Sequence, residues 1–146
     1  MPDPQNYKNH ARVDPIVHFF LLPSSFLNLL FAIAITIHRW PQHRVLFCWY
    51  ILMSFAFLVA VAKIRINALR VQDRVIRLEE KLRFAALLPP DLLARSQSLA
   101  VSQYIALRFA SDAELPALVR RALDENLTNK QIKESIDNWR PDYYRV

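Results

Sequence analysis

The sequence of 146 residues contains no glycine, whereas an average protein has about 7%. Phosphate-binding P-loops, dinucleotide-binding GxGxxG turns, nucleophile elbows and EF-hand loops all use glycine for positive φ or close backbone approach. The missing glycine therefore excludes these sites. A chain rich in leucine and alanine but without glycine also has few tight turns, so we predict an all-α fold with short links.

Cysteine is nearly absent too, and charge is absent from two long stretches. The single Cys48 permits no intramolecular disulfide and lies in an apolar run, where it is expected to pack as a small hydrophobic residue. Residues 16–37 and 45–62 carry no Asp, Glu, Lys or Arg. As helices they would extend about 33 and 27 Å, close to the thickness of a bilayer core. Together with Trp40, Trp49 and Tyr50 near the polar link 38–44, they predict a transmembrane hairpin.

The pattern along the chain predicts four segments. They are a polar N-terminal segment (1–14), a transmembrane hairpin (15–62), a cytoplasmic heptad-patterned helix that extends the second span as a rod (63–88), and a small helical C-terminal domain (89–146). Pro89 and Pro90 end the rod. Beyond them we predict helices near 91–97, 101–110, 112–125 and 129–139, with capping boxes at Ser111 and Thr128.

The basic residues predict the orientation of the hairpin. Seven Lys and Arg residues flank the two outer ends of the spans, whereas the link between the spans has two. This bias predicts a multi-pass membrane protein with both termini cytoplasmic. Residues 85–146 hold eight basic and eight acidic residues. The basic excess of the chain therefore lies in the spans' flanks, where it predicts contact with membrane lipid. The tail is neutral and lacks the basic face that nucleic-acid binding requires, so we predict no binding of nucleic acid.

Small and polar residues inside the spans predict how the spans pack. Ser25, Asn28, Ala32 and Thr36 share one face of the first span, and Ala56 and Ala60 form a small-xxx-small pair on the second. Helices in lipid use such residues to approach each other and to form hydrogen bonds. A quinone or lipid site at the polar residues is the alternative that we consider.

A seam of apolar residues with alternating spacings of four and three runs along the rod. Its members are Ile64, Ala68, Val71, Val75, Leu78, Leu82 and Ala85. This is a heptad pattern with Ala68, Val75 and Leu82 at position a, and it places Arg74 at g and Glu79 at the following e. The seam predicts either a parallel homodimer, or docking onto the chain's own tail or another protein partner.

No catalytic or metal-binding set is predicted. His10, Asp14 and His18 would align on one helix, but Pro15 disrupts the helix there, so Asp14 is expected to cap the first helix instead. His38 and His43 lie at the other membrane face. We therefore predict no metal, no cofactor and no enzymatic activity. The predicted function is that of an accessory, scaffolding or stabilising subunit of a membrane complex. The alternative is a signalling or regulatory element whose rod transmits a change to the tail.

Four stretches carry a resemblance to a known family. They are QNYKNHARVDPIVHF, INALRVQDRVIRLEE, IALRFASDAEL and IDNWRPDYYRV. They resemble a bacterial family of small two-span membrane proteins of unknown function, and the resemblance covers nearly the whole chain. It implies the same layout of hairpin and tail, and it assigns no catalytic residue.

Overall fold

A computed structural model describes residues 5–7, 9, 13–40 and 43–142. A π-helical segment, Ile16–Leu21, leads into α1 (Leu22–Arg39); the other helices are α2 (Arg44–Leu87), α3 (Pro90–Ser96), α4 (Val101–Leu107), α5 (Leu115–Asp124) and α6 (Asn129–Glu134). Over these described ranges, β-type pairing is limited to an isolated antiparallel bridge between Ala110 and Trp139. The predicted all-α fold, with two long apolar helices and a helical C-terminal part, is confirmed.

The chain forms two compact units, and their boundary lies inside α2. Residues 13–69 form the hairpin unit, and residues 1–12 together with 70–146 form the terminal unit. The sequence placed boundaries at 62 and 88 instead. The difference arises because Phe84 and Leu88, at the end of the expected rod, are buried in the same core as the C-terminal helices. The N-terminal segment also belongs to the terminal unit, where Gln5 pairs with Asp142.

The hairpin unit begins at a cap that the sequence predicts. A carboxylate oxygen of Asp14 accepts hydrogen bonds from the backbone amides of Ile16 and Val17, at 3.1 and 3.3 Å. The opening turns are π-helical rather than α-helical, and the amide of Leu22 donates to the carbonyl of Val17. Pro23 follows directly and has no amide hydrogen, so it cannot form the α-helical bond that this position would require.

Three helix boundaries in the terminal unit differ from the predicted ones. α4 ends at Leu107 rather than near 110, α5 begins at Leu115 rather than near 112, and α6 ends at Glu134 rather than near 139. The segment after α6 instead pairs with the residues that follow α4: the amide of Arg140 donates to the carbonyl of Phe109 at 2.7 Å. The ring of Trp139 lies 5.0 Å from that of Phe109. Because this tryptophan packs on the core, α6 ends before it instead of continuing to 139.

Two side chains fix the connections around α5 and α6. The carboxylate of Glu114 accepts from the amide of Ser111 at 3.0 Å and from the amide of Asp137 at 3.2 Å. Thr128 and Gln131 form the predicted capping box, with the Gln131 side chain accepting from the amide of Thr128 at 2.9 Å. Glu114 thus joins two segments, whereas Thr128 acts locally at one helix start.

Candidate functional site

The seven seam residues are all exposed. Ile64 and Ala68 lie in the hairpin unit, and the other five lie in the terminal unit. The larger members, Ile64, Val71, Val75, Leu78 and Leu82, retain 48–70% of their accessible surface. Apolar side chains repeated along one helix face at this exposure are typical of an interaction surface.

The opposite face of the same helix is covered by the terminal unit. Ile76, Glu80 and Phe84 are buried, at spacings of four residues. At 100° per residue, their mean direction lies about 170° around the helix from the midpoint between Val75 and Leu78. The described tail therefore packs on the side away from the seam. Docking of that tail onto the seam, one of the alternatives from the sequence, is not what the structure contains.

Aromatic packing attaches α2 to the helices that follow it. Phe84 is fully buried and stacks on Tyr104 of α4, with ring centroids 5.3 Å apart. The guanidinium of Arg77 lies 5.8 Å from the centroid of the same Tyr104 ring. The Tyr104 hydroxyl donates to the carbonyl of Ser96 at 2.8 Å. These contacts hold the C-terminal part of α2 in one orientation and so determine which of its faces remains open.

Arg83 provides a second attachment, because its guanidinium joins α2 to the residues that follow α4. Arg83 donates to the carbonyl of Ala110 at 2.7 Å and forms salt bridges with Glu80 at 3.1 Å and Asp112 at 2.6 Å. Arg83, four residues after Glu79, is therefore directed into the terminal unit rather than along the outer face of the helix. Burial raises the pKa of the Glu80 carboxyl, while the nearby Arg83, Arg140 and Arg108 act in the opposite direction.

A cavity of about 450 Å³ adjoins this ion cluster. Its lining is formed by Glu79, Glu80, Arg83, Arg108, Arg140, Pro141 and Asp142. Three arginines and three carboxylates share the space, and Arg108 bonds Asp142 at 3.0 Å. The three arginines pair with Glu80 and Asp142. Charges that balance and are mostly paired with one another favour cohesion of the unit over capture of a charged ligand.

The hairpin unit contains a polar contact between its helices. The amide nitrogen of Asn28 donates to the hydroxyl of Ser54 at 2.9 Å. Ser25, Ala32 and Thr36 are buried, but the Ser25 and Thr36 hydroxyls donate to carbonyls of their own helix, those of Leu21 and Ala32. A cavity of about 240 Å³ adjoins this contact; it is lined by Asn28, Phe31, Ala32, Ile35, Phe47, Tyr50 and Ser54.

The predicted packing pair on α2 does not lie on the buried side of this helix. Ala56 and Ala60 are exposed, whereas Ser54 and Val61 are the buried residues of this stretch. Four-residue spacing identifies a strip of small side chains but does not say which side of α2 faces α1. Sequence reasoning missed Ser54, although a hydroxyl inside an apolar span was a usable signal.

The histidines are not brought together in the part of the chain that the structure describes. His18 is exposed, and its ring Nδ1 lies 2.8 Å from the carbonyl of Asp14. His38 and His43 are also exposed, while His10 lies outside the described residues. Among the residues that are described, no group of three or more His, Cys, Asp or Glu is arranged to hold a metal ion.

Comparison with known proteins gives a family but no activity. No curated protein and no solved structure matches the chain. A family model described as a family of unknown function, DUF6526, matches residues 1–146. The match agrees with the resemblance found in the four sequence stretches on one point: both place the chain in a family without an assigned activity. The chain belongs to the family of unknown function DUF6526.

Proposed function

We propose that this protein is a non-enzymatic integral membrane protein that serves as an accessory, scaffolding or stabilising subunit of a membrane complex. The exposed seam carries the proposal. A helix that is packed by its own chain on one face and apolar along the opposite face is suited to contact another protein. The inward ion pairs and aromatic stacking make the terminal unit a platform that presents this seam.

Membrane insertion is supported by the two long helices. The π-helical segment and α1 together, Ile16–Arg39, and α2, Arg44–Leu87, are long and apolar enough to cross a bilayer by length and composition. Their large apolar side chains, such as Phe19, Phe31 and Phe55, are mostly exposed. The core helix of a soluble protein would bury such residues, whereas a lipid environment accommodates them.

The proposed topology has both termini in the cytoplasm of a bacterium. Gln5 and Asp142 support a common side for the two ends. The Gln5 amide nitrogen donates to the Asp142 carbonyl at 3.1 Å, and the Asp142 backbone amide donates to the Gln5 side-chain oxygen at 2.8 Å. Residues joined in this way lie on one side of the membrane, as an even number of crossings requires. The basic bias of the flanks then favours the cytoplasmic side, although Lys8 and Arg12 lie outside the described residues.

Co-purification of seam variants tests the proposal. The chain is extracted from native membranes in a mild detergent, and its complexes are separated by size and identified by mass spectrometry. Leu78→Gln is expected to remove stoichiometric partners. Val101→Gln is the matched control, because Val101 is a partly exposed apolar residue of α4 that does not belong to the seam. Equal recovery of partners with both variants would contradict a role for the seam.

A signalling or regulatory element is the second candidate. One uninterrupted helix, α2, contributes residues to both the hairpin unit and the terminal unit. A change within the membrane could reach the tail through it. This function predicts that the protease sensitivity of the terminal unit changes with a membrane condition, whereas a stabilising subunit keeps a constant sensitivity.

A further inference from the structure

We infer that the seam binds a second copy of the same chain, forming a parallel two-stranded coiled coil. The inference rests on the proposed function, because it names the occupant of the surface on which that function depends. The main evidence is which heptad positions of α2 remain exposed. Positions a and d of the heptads between Val71 and Ala85 are exposed, while Ile76 at b, Glu80 at f and Phe84 at c are covered. A coiled-coil partner needs a and d and leaves b, c and f free.

The charges beside the seam are complementary to those of a second copy. In a parallel pair, position g of one helix meets position e of the next heptad on the other. Arg74 of one chain therefore faces Glu79 of the other, and two such pairs form in each dimer. Both residues are exposed. An antiparallel pair would not match these positions.

The apolar residues favour two strands. A β-branched residue at a followed by leucine at d is the combination that two-stranded parallel coils prefer, and Val75 with Leu78 provides it. Ala68 and Ala85 add little buried area, so the affinity of the free helices would be low. Insertion in a membrane offsets this weakness, because it aligns two copies in parallel and raises their effective concentration.

Oxidative cross-linking in native membranes tests the dimer. Every variant carries Cys48→Ala, because the native cysteine is exposed and would cross-link by itself. A cysteine at Val71, position d, is expected to give a disulfide-linked dimer. A cysteine at Arg70, position c, is the control; it is exposed but faces away from the seam. Equal cross-linking at Val71 and Arg70 would overturn the inference.

A charge swap then tests the register. Arg74→Glu and Glu79→Arg each replace two attractive pairs by two repulsive ones, so each is expected to lower the association of the Val71→Cys chain by about threefold to tenfold. The double variant is expected to restore it. Unchanged cross-linking in both single variants, or no recovery in the double variant, would overturn the inference.

The two proposals fail in different ways. If Leu78→Gln removes other proteins from the purified complex but Val71→Cys gives no self-dimer, the seam binds a different protein and the dimer is wrong. If the dimer obeys the charge swap but no other protein co-purifies, the dimer stands and the role in a larger complex is wrong.

Discussion

The side-chain amide of Asn28 on α1 and the hydroxyl of Ser54 on α2 form a hydrogen bond of 2.9 Å between the two helices of the hairpin unit. Asn28→Leu removes the donor and is expected to lower the stability of the hairpin by about 0.6–2 kcal/mol, the range for such bonds between helices in membranes. Unfolding of the full chain in detergent micelles measures this change.

A double-mutant cycle distinguishes this bond from loss of packing. Ser54→Ala and Asn28→Leu should together cost no more than the larger single change, because each removes the same bond. Ala60→Leu, on an exposed part of α2, is the control and should leave stability nearly unchanged. Fully additive costs in the double variant would show that the two residues act independently. If Asn28 instead serves a ligand site, function should be lost without a change in stability.

Labelling of introduced cysteines tests the orientation. In a Cys48→Ala background, a cysteine at Gln42 is expected to react with an impermeant thiol reagent added to intact cells. Gln42 lies outside the described residues, and its position in the link follows from the sequence. Ser98 lies in the part of the chain that the proposed topology places in the cytoplasm. Its side chain is exposed, whereas that of nearby Ser96 is fully buried and would be inaccessible to the reagent. Labelling at Ser98 in intact cells would contradict the proposed topology.

Phe84 is expected to be essential for the terminal unit. Its ring is fully buried against Tyr104, so Phe84→Ala should lower the free energy of unfolding by about 3–5 kcal/mol. Val101→Ala removes a partly exposed apolar side chain and should change stability by about 0.5 kcal/mol or less. Denaturant titration of the full chain, followed by the fluorescence of Trp139 in a background with Trp40→Phe and Trp49→Phe, compares the two. Similar costs for both would mean that α2 is not part of this core.

Because of Glu80, the free energy of unfolding of the terminal unit is expected to fall as the pH rises. Burial raises the pKa of its carboxyl in the folded chain above the ordinary value of 4.5. Below that value both states are protonated, and the contribution of the group to stability is complete. As the pH rises through the window up to the raised pKa, the unfolded chain loses the proton first, so the free energy of unfolding falls.

Glu80→Gln removes this titration and should flatten the dependence of unfolding on pH. The slopes are expected to differ by at most about 1.4 kcal/mol per pH unit, the limit for one proton. Slopes are compared rather than absolute stabilities, because the amide also weakens the contacts to Arg83 and Arg140. Glu125→Gln, at an exposed position, controls for the change in net charge. Parallel pH profiles for Glu80→Gln and the native chain would argue against the raised pKa.

The helices of this protein could be predicted because their signals are local. Uncharged runs predict the long helices, Asp14 and Thr128 predict helix starts, and the four-three spacing predicts which face of α2 carries the seam. Each depends on residues within one or two turns of each other.

The covered face of α2 could not be predicted in the same way. Glu80 carries a charge and looks like a solvent-facing residue, but it is buried beside Arg83 and within 3.8 Å of Arg140. That partner lies 60 residues further along the chain. The same limit applies to Ala56 and Ala60, since the side of α2 that meets α1 depends on Asn28, on a different helix.

The bond between Gln5 and Asp142 also constrains the order of folding. The two residues are 137 positions apart, so the ribosome makes Gln5 long before Asp142. Both long helices lie between them in the sequence, so both helices are made before this contact can form. The pairing of Gln5 with Asp142 is therefore a late step in the folding of the terminal unit, and it follows the synthesis of the whole hairpin unit.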